Sequence, residues 1–187
     1  DVSVAEMTAA YTSFANKGIR ALPLYVTHIE DTFGNIVPGS NFLPRSEEVF
    51  SEGTYVKMLD MLRGVIDGGT GGRVRRNYGI TVDMGGKTGT TNYNADGWFM
   101  GFTPSLVSGC WVGGEEPDIH FDTMADGQGA SMALPIWGLY MKKVFADKTL
   151  GYDQTETVQF PKGFSPCGDK QEESSSTNQQ ELDDLFN

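Results

Sequence analysis

A chain of 187 residues with 39 % hydrophobic residues and 24 glycines has room for one or two domains around a sizeable core. Its 25 acidic residues outnumber 14 Lys and Arg, giving a formal charge of −11, which argues against nucleic-acid or anionic-membrane binding because phosphate contacts need clustered cations. The one basic knot, Arg73, Arg75 and Arg76, is too small to reverse that balance and is expected on a solvated face.

In chain order, Ser3-Val4-Ala5-Glu6 reads as a capping box, followed by Met7, Ala10, Tyr11, Phe14 and Ala15 at helical spacing and by Gly18 as a left-handed stop. Leu22 to Glu30 has strand character, and Asp31-Thr32-Phe33-Gly34-Asn35 reads as a turn back through Ile36 and Val37, a hairpin with His28 as a solvated strand residue. A second helix is expected from about Glu52 to Asp67, with Tyr55, Met58, Leu59, Leu62, Val65 and Ile66 as its apolar stripe. It stops at Gly68-Gly69-Thr70-Gly71-Gly72, too glycine-rich to continue any element. After Tyr78 to Met84 come Gly85-Gly86-Lys87-Thr88-Gly89-Thr90-Thr91 and a polar turn over Asn92 to Gly97. Trp98 to Thr103 and Leu106 to Val112 read as two strands joined at Pro104-Ser105. Asp126 to Gly129 reads as a loop, and Leu134 to Phe145 as a last helix with Ile136, Leu139, Tyr140 and Val144 inward and Pro135 in the first turn. The order helix, hairpin, helix, antiparallel strands, helix predicts an α+β fold, an antiparallel sheet packed by helices.

The last 23 residues, Ser165 to Asn187, hold six acids, one lysine and a Ser174 to Gln180 polar tract. They are expected to be a disordered tail, with Leu182, Leu185 and Phe186 as a frayed end, leaving residues 1–164 as the globular part. Cys110 and Cys167, the only two cysteines, make neither a metal pair nor a disulfide scaffold, and Cys110 is expected to be a buried small apolar residue. His120 follows Glu115, Glu116 and Asp118, but one histidine at that spacing matches no ligand pattern, so no metal and no cofactor are expected. Trp98, Trp111 and Trp137 are expected in the core or on a cleft floor. The chain lacks any run of about 18 apolar residues and a leader-like start. As given it is expected to be soluble; not beginning with Met, it reads as a mature product or a piece of something longer.

Gly86-Lys87-Thr88 invites a phosphate-loop reading, but the glycine required upstream is Thr81, and strands, not a helix, follow. The competing reading is the Lys-Thr-Gly element of serine acyl-transferases that react with penicillin, in which a strand presents an ammonium, hydroxyls and a backbone N–H along one side of a cleft. Three letters alone are weak; the flanks are specific. Gly86-Lys87-Thr88-Gly89-Thr90-Thr91, Asp96 to Pro104, Val107 to Gly113 and Ala133 to Trp137 closely resemble the C-terminal half of the transpeptidase domain of class A, bifunctional penicillin-binding proteins. Ala9 to Gly18 and Gly68 to Gly72 fit the same family in the same order.

The resemblance implies a partial serine-β-lactamase-like transpeptidase fold and a part in peptidoglycan cross-linking. A serine would attack the D-Ala-D-Ala carbonyl of a stem peptide, and β-lactams would be trapped as acyl-enzymes. Carried over, Lys87 supplies positive potential, Thr88, Thr90 and Thr91 line the substrate subsite, Gly89 permits close approach, and the Thr90 N–H forms half of an oxyanion hole. Losing such a donor costs about 3 to 4 kcal/mol of transition-state stabilisation.

No serine has a lysine three positions on, so Ser-x-x-Lys does not occur; the sole Ser-x-Asn, Ser176-Thr177-Asn178, lies in the tail, after the lysine motif instead of before it. The expected state is therefore one wall of an active site without its nucleophile, inactive alone. Its partners in the longer protein are expected to be stem peptides and β-lactams, and its location the periplasmic face of the inner membrane through an upstream anchor. The strand near Leu106 to Val112 is expected to keep an open edge and to favour self-association. Rival readings are a serine D,D-carboxypeptidase or β-lactamase-like enzyme, and a non-catalytic cell-wall interaction module.

Overall fold

A computed structural model describes residues 2–160 and Phe164. The tail, with Cys167 and the residues from Ser174 onward, lies outside the described residues.

Helix α1 spans Val4–Ala15 and starts at the predicted box. Ser3 Oγ accepts the Glu6 N–H at 3.2 Å, and Glu6 Oε2 accepts the Ser3 N–H at 2.8 Å, satisfying two amides that a helix start leaves unpaired. The chain leaves through Lys17 and Gly18 at φ 52° and 88°. Strand β1, Ile19–Ala21, then pairs antiparallel with β2, Ser46–Glu48. Residues 22–45 between them form an arm, and the strand predicted over Leu22 to Glu30 is not there. Its turn is: Asp31 Oδ1 accepts the N–H groups of Phe33 and Asn35 at 2.8 and 3.0 Å, and Glu30 and Ile36 form a single bridge. Tyr25 is 81 % exposed and Phe33 87 %. Strand propensity is a preference for packing on a pleated, half-buried surface, and among the described residues nothing supplies that surface to the arm.

Helix α2, Glu52–Asp67, matches its predicted bounds and buries Tyr55, Val56, Leu59, Leu62 and Ile66. Val56 joins the stripe, while Met58 and Val65 are only half-buried. The short helix α3, Arg73–Tyr78, corrects the reading of Arg73 and Arg75 as a solvated face, while Arg76 is exposed as expected. Arg73 donates to the Ala130 carbonyl at 2.9 Å, and Arg75 donates to the carbonyls of Ile80 and Val82 at 2.9 and 2.6 Å. Chain turning outside a regular ladder still has carbonyls to satisfy, and the forked guanidinium reaches two at once.

The main sheet follows: β3 (Gly85–Thr90), β4 (Asp96–Phe102) and β5 (Val107–Gly113), antiparallel, in the order β3-β4-β5. Thr103 closes the β4–β5 hairpin by donating its N–H to the Leu106 carbonyl at 2.8 Å and accepting the Leu106 N–H on Oγ1 at 3.1 Å. Lys87 stands opposite Met100, and Gly89 opposite Trp98, which is opposite Trp111; the period of two therefore puts these side chains on one face and Thr88, Thr90 and Phe99 on the other.

Of the loop expected over Asp126 to Gly129, Asp126 and Gly127 instead end the short helix α4 (Met124–Gly127), which starts where Thr123 accepts the Asp126 N–H as an N-cap, while Gln128 and Gly129 lie outside it. Helix α5, Ala133–Ala146, packs on the Phe99 face of the sheet, with Trp137 edge-on to Phe99 at 5.0 Å between ring centroids. Its inner face shares only Val144 with the predicted one. Leu134, Trp137, Met141 and Val144 are buried, whereas Ile136, Leu139 and Tyr140 are 53, 57 and 50 % exposed. The helix carries two apolar stripes, and only the tertiary contact at Gly101 selects between them: a Cβ there would lie 2.5 Å from Trp137 Cζ2, so the indole presses on bare backbone.

Candidate active-site wall

Strand β3 is buried at Gly85 and Gly86, exposed at Lys87 and Thr90, and half-buried between them. The buried part is closed by α2, whose Ile66 side chain would meet a Cβ on Gly86 at 3.0 Å. At the far end the Thr91 N–H donates inward to the Asp96 carbonyl at 3.0 Å. Backbone groups alternate sides along an antiparallel strand, so the N–H groups of Thr90 and Thr88 point to the outer edge of the sheet. That is the orientation an oxyanion donor needs.

Lys87 reaches over this edge, its Nζ donating to the Thr88 carbonyl at 2.7 Å. Its side chain borders a hollow of about 220 Å³, which Met7 and Tyr11 of α1, Gly89, Trp98 and Met100 also line. Burial pushes the Tyr11 phenol up, so it stays protonated at neutral pH. On the opposite face, Thr90 Oγ1 accepts the Gly129 N–H at 3.1 Å. Gly129 is pressed against the carbonyls of Gly89 and Trp98, leaving no room for a side chain. Thr88 Oγ1 lies 2.7 Å from Thr70 Oγ1. Thr91 sits apart in role: its hydroxyl donates to the Asp96 carboxylate at 2.9 Å and accepts the Asp96 N–H at 2.8 Å, clamping the β3–β4 turn.

The structure thus brings Lys87, Thr88, Gly89 and Thr90 together on one half-strand and adds residues not assigned from sequence: Thr70, Gly129, Met7 and Tyr11. The signal for Thr70 was present in the Gly68 to Gly72 loop; for Met7 and Tyr11 there was only an apolar helix stripe, which any core contact explains. Elsewhere, His28 pairs with Glu30 at 2.9 Å on an exposed part of the arm, and His120 Nδ1 lies 3.2 Å from the Phe121 carbonyl. Trp137 is buried, Trp98 is half-buried in the hollow, and Trp111 is exposed, donating to Asp96 Oδ1 at 3.0 Å. Cys110 is half-buried instead of buried, because β5 is an edge strand; what burial it has pushes its thiol up.

The site is thus a polar edge strand beside a glycine-rich loop, on an antiparallel sheet with a helix against each face. The model of the penicillin binding protein transpeptidase domain matches residues 1–109, and the chain belongs to that family. It is 38 % identical over 144 residues to penicillin-binding protein 1A of Aquifex aeolicus (strain VF5), covering 77 % of this chain and 19 % of that protein. With penicillin-binding protein 1A of Rickettsia conorii (strain ATCC VR-613 / Malish 7) the identity is 31 % over 169 residues, 79 % of this chain and 21 % of that protein. The chain therefore spans about a fifth of the length of these curated relatives. In fold it is similar to penicillin-binding protein 1A from Haemophilus influenzae, with a TM-score of 0.73 at 24 % identity over 86 % of this chain and 28 % of that one. It is also similar to PonA1 from Mycobacterium tuberculosis in complex with penicillin V, with a TM-score of 0.64 at 22 % identity over 87 % of this chain and 42 % of that one.

Proposed function

We propose that this chain is the C-terminal part of the transpeptidase domain of a peptidoglycan D,D-transpeptidase and supplies one wall of its active site. The observation that carries this reading is the outer edge of β3, where the Lys87 ammonium and the outward Thr90 N–H stand on a half-strand that α2 leaves exposed. In the longer protein a serine upstream of Asp1 attacks the penultimate D-alanine carbonyl. The Oγ–C bond forms, the C–N bond to the terminal D-alanine breaks, and that amine leaves with a proton. An amine of a neighbouring stem peptide then takes the acyl group and returns the serine. Lys87 raises the local potential for the anionic substrate, the Thr88 and Thr90 hydroxyls receive its carboxylate, and the Thr90 N–H stabilises the oxyanion. Thr91, placed in the same subsite from sequence, holds the strand's end in position through Asp96.

Upstream sequence also supplies a glycosyltransferase half and the anchor that places the enzyme at the periplasmic face of the inner membrane; the described residues include no helix long and apolar enough to cross a membrane. The body, residues 1–164, belongs to the catalytic domain, and the tail from Ser165 is an appendage to it. The open β5 edge favours self-association of the isolated chain.

The test is covalent labelling. Incubated with a fluorescent penicillin, this chain alone gives no adduct by mass spectrometry, whereas the chain extended upstream through its Ser-x-x-Lys segment gives one equivalent. Lys87→Ala in the extended chain slows acylation at least about a hundredfold, the scale of losing a transition-state donor. An adduct on the short chain, or none on the extended one, sinks the reading.

A further inference from the structure

The stretch from Gly68 to Gly72 presents a single side chain, that of Thr70. Its glycines let the loop fold back against α2 and α3 more closely than any larger residue allows. A Cβ on Gly69, Gly71 or Gly72 would lie 2.9 Å from Val65 Cα, 2.8 Å from Ile66 Cδ1 or 2.7 Å from Arg76 Nη1. The loop is also pinned: Gly71 donates to the Val65 carbonyl at 2.9 Å and Gly72 to the Gly69 carbonyl at 3.1 Å. Arg73, the next residue, is tied to the Ala130 carbonyl and Ser131 Oγ at 2.9 and 3.0 Å. The outcome of this tight packing is one hydroxyl held 2.7 Å from Thr88 Oγ1.

Two hydroxyls sharing one hydrogen bond consume one proton and leave the other free. Among the described residues neither has another partner. A lone threonine on an edge strand spreads its proton over several rotor positions, including those that face backbone carbonyls. When Thr70 donates to Thr88 Oγ1, the lone pair is occupied, the Thr88 proton is directed away from Thr70, and the chain of two bonds polarises it as a donor.

We propose that Thr70 is a positioning residue for carboxylate recognition: it donates to Thr88 and so aims the Thr88 O–H at the carboxylate of the stem peptide or of a β-lactam. This rests on the reading of β3 as the carboxylate-binding wall.

The experiment uses the extended, nucleophile-containing chain and two probes, benzylpenicillin and its uncharged methyl ester. Thr70→Val lowers the second-order acylation constant for benzylpenicillin about tenfold, the scale of one hydrogen bond to a charged group, and leaves the constant for the ester unchanged. Thr70→Ser, which keeps the hydroxyl, restores wild-type behaviour. The Thr70→Val, Thr88→Val pair is no slower than Thr88→Val alone, because both act on one bond. An unchanged benzylpenicillin constant in Thr70→Val, or an equal loss with both probes, overturns the proposal; the equal loss marks a merely structural role. A wild-type extended chain that fails to acylate overturns the transpeptidase reading itself, and this proposal with it, an outcome visible before any Thr70 variant is made.

Discussion

The two outer strands of the main sheet present opposite chemistry on opposite sides. The free half of β3 shows an ammonium, the hydroxyls and outward N–H groups of Thr88 and Thr90, and a helix that covers only its start. The edge of β5, Val-Ser-Gly-Cys-Trp-Val-Gly, carries no charge and no proline, the devices by which sheets protect an edge. Above it, α5 turns a second apolar stripe outward: Gly138 meets Tyr78 of α3 on one flank, and Ile136 and Tyr140 lie on the other. One edge is the proposed site, and the other is covered by nothing among the described residues.

Substitution can break that comparison. The largest effect is expected for Trp137→Ala, which removes the floor common to both edges: the ring packs on Phe99 and Gly101 and donates to the Ser108 carbonyl at 3.3 Å. Urea unfolding should show a loss of about 3–5 kcal/mol; below about 1 kcal/mol, the two edges do not share one packed sheet. Next comes Trp111→Lys, which places a charge on β5 at an exposed position. It should weaken self-association at least about tenfold in sedimentation equilibrium, while Thr88→Lys on β3 leaves association unchanged. Equal effects from both would erase the distinction between the edges.

Smaller effects sharpen it. Ile136→Gln and Leu139→Gln should each stay within about 0.5 kcal/mol of the parent in this chain, against the 2–5 kcal/mol that a truly inner residue would cost. A large loss would mean that the second stripe is already covered. Least of all is the pH response of α1, the helix over the Lys87 face. The Ser3 backbone N–H, and then its hydroxyl, holds the Glu6 carboxyl below the usual glutamate range. With the folded value lowered, this contribution is complete above the unfolded value and disappears as pH falls through the folded one. Carbon-detected NMR titration should find the Glu6 midpoint depressed, and only partly restored in Ser3→Ala, which removes the hydroxyl and keeps the backbone N–H.

Much of this arrangement was legible in sequence because its causes are local. The Ser3 box, the helix of Glu52–Asp67, and the β4–β5 hairpin at Pro104-Ser105 are set by capping, periodicity and turn chemistry over a few residues. The order of residues around Lys87 was likewise enough to show the family resemblance. Three readings failed where the deciding contact is distant in sequence. Leu22 to Glu30 has strand residues and no sheet to join, and Arg73 and Arg75 look like surface charge until the carbonyls they satisfy are seen. Helix α5 is apolar on two sides, so its period alone does not say which side is inward.

By itself, the sequence determined that this is an α+β segment with a Gly-Lys-Thr-Gly-Thr run at residues 86–90, and that the given residues hold no Ser-x-x-Lys; these are properties of residue type and spacing. Only the tertiary structure decided which way that strand faces, that Thr70 and Gly129 stand against it, and which edge is left open. The physical reason is that a hydroxyl pair across 18 positions and a glycine pressed on a carbonyl exist only when separate elements are packed together, and no local preference encodes that packing.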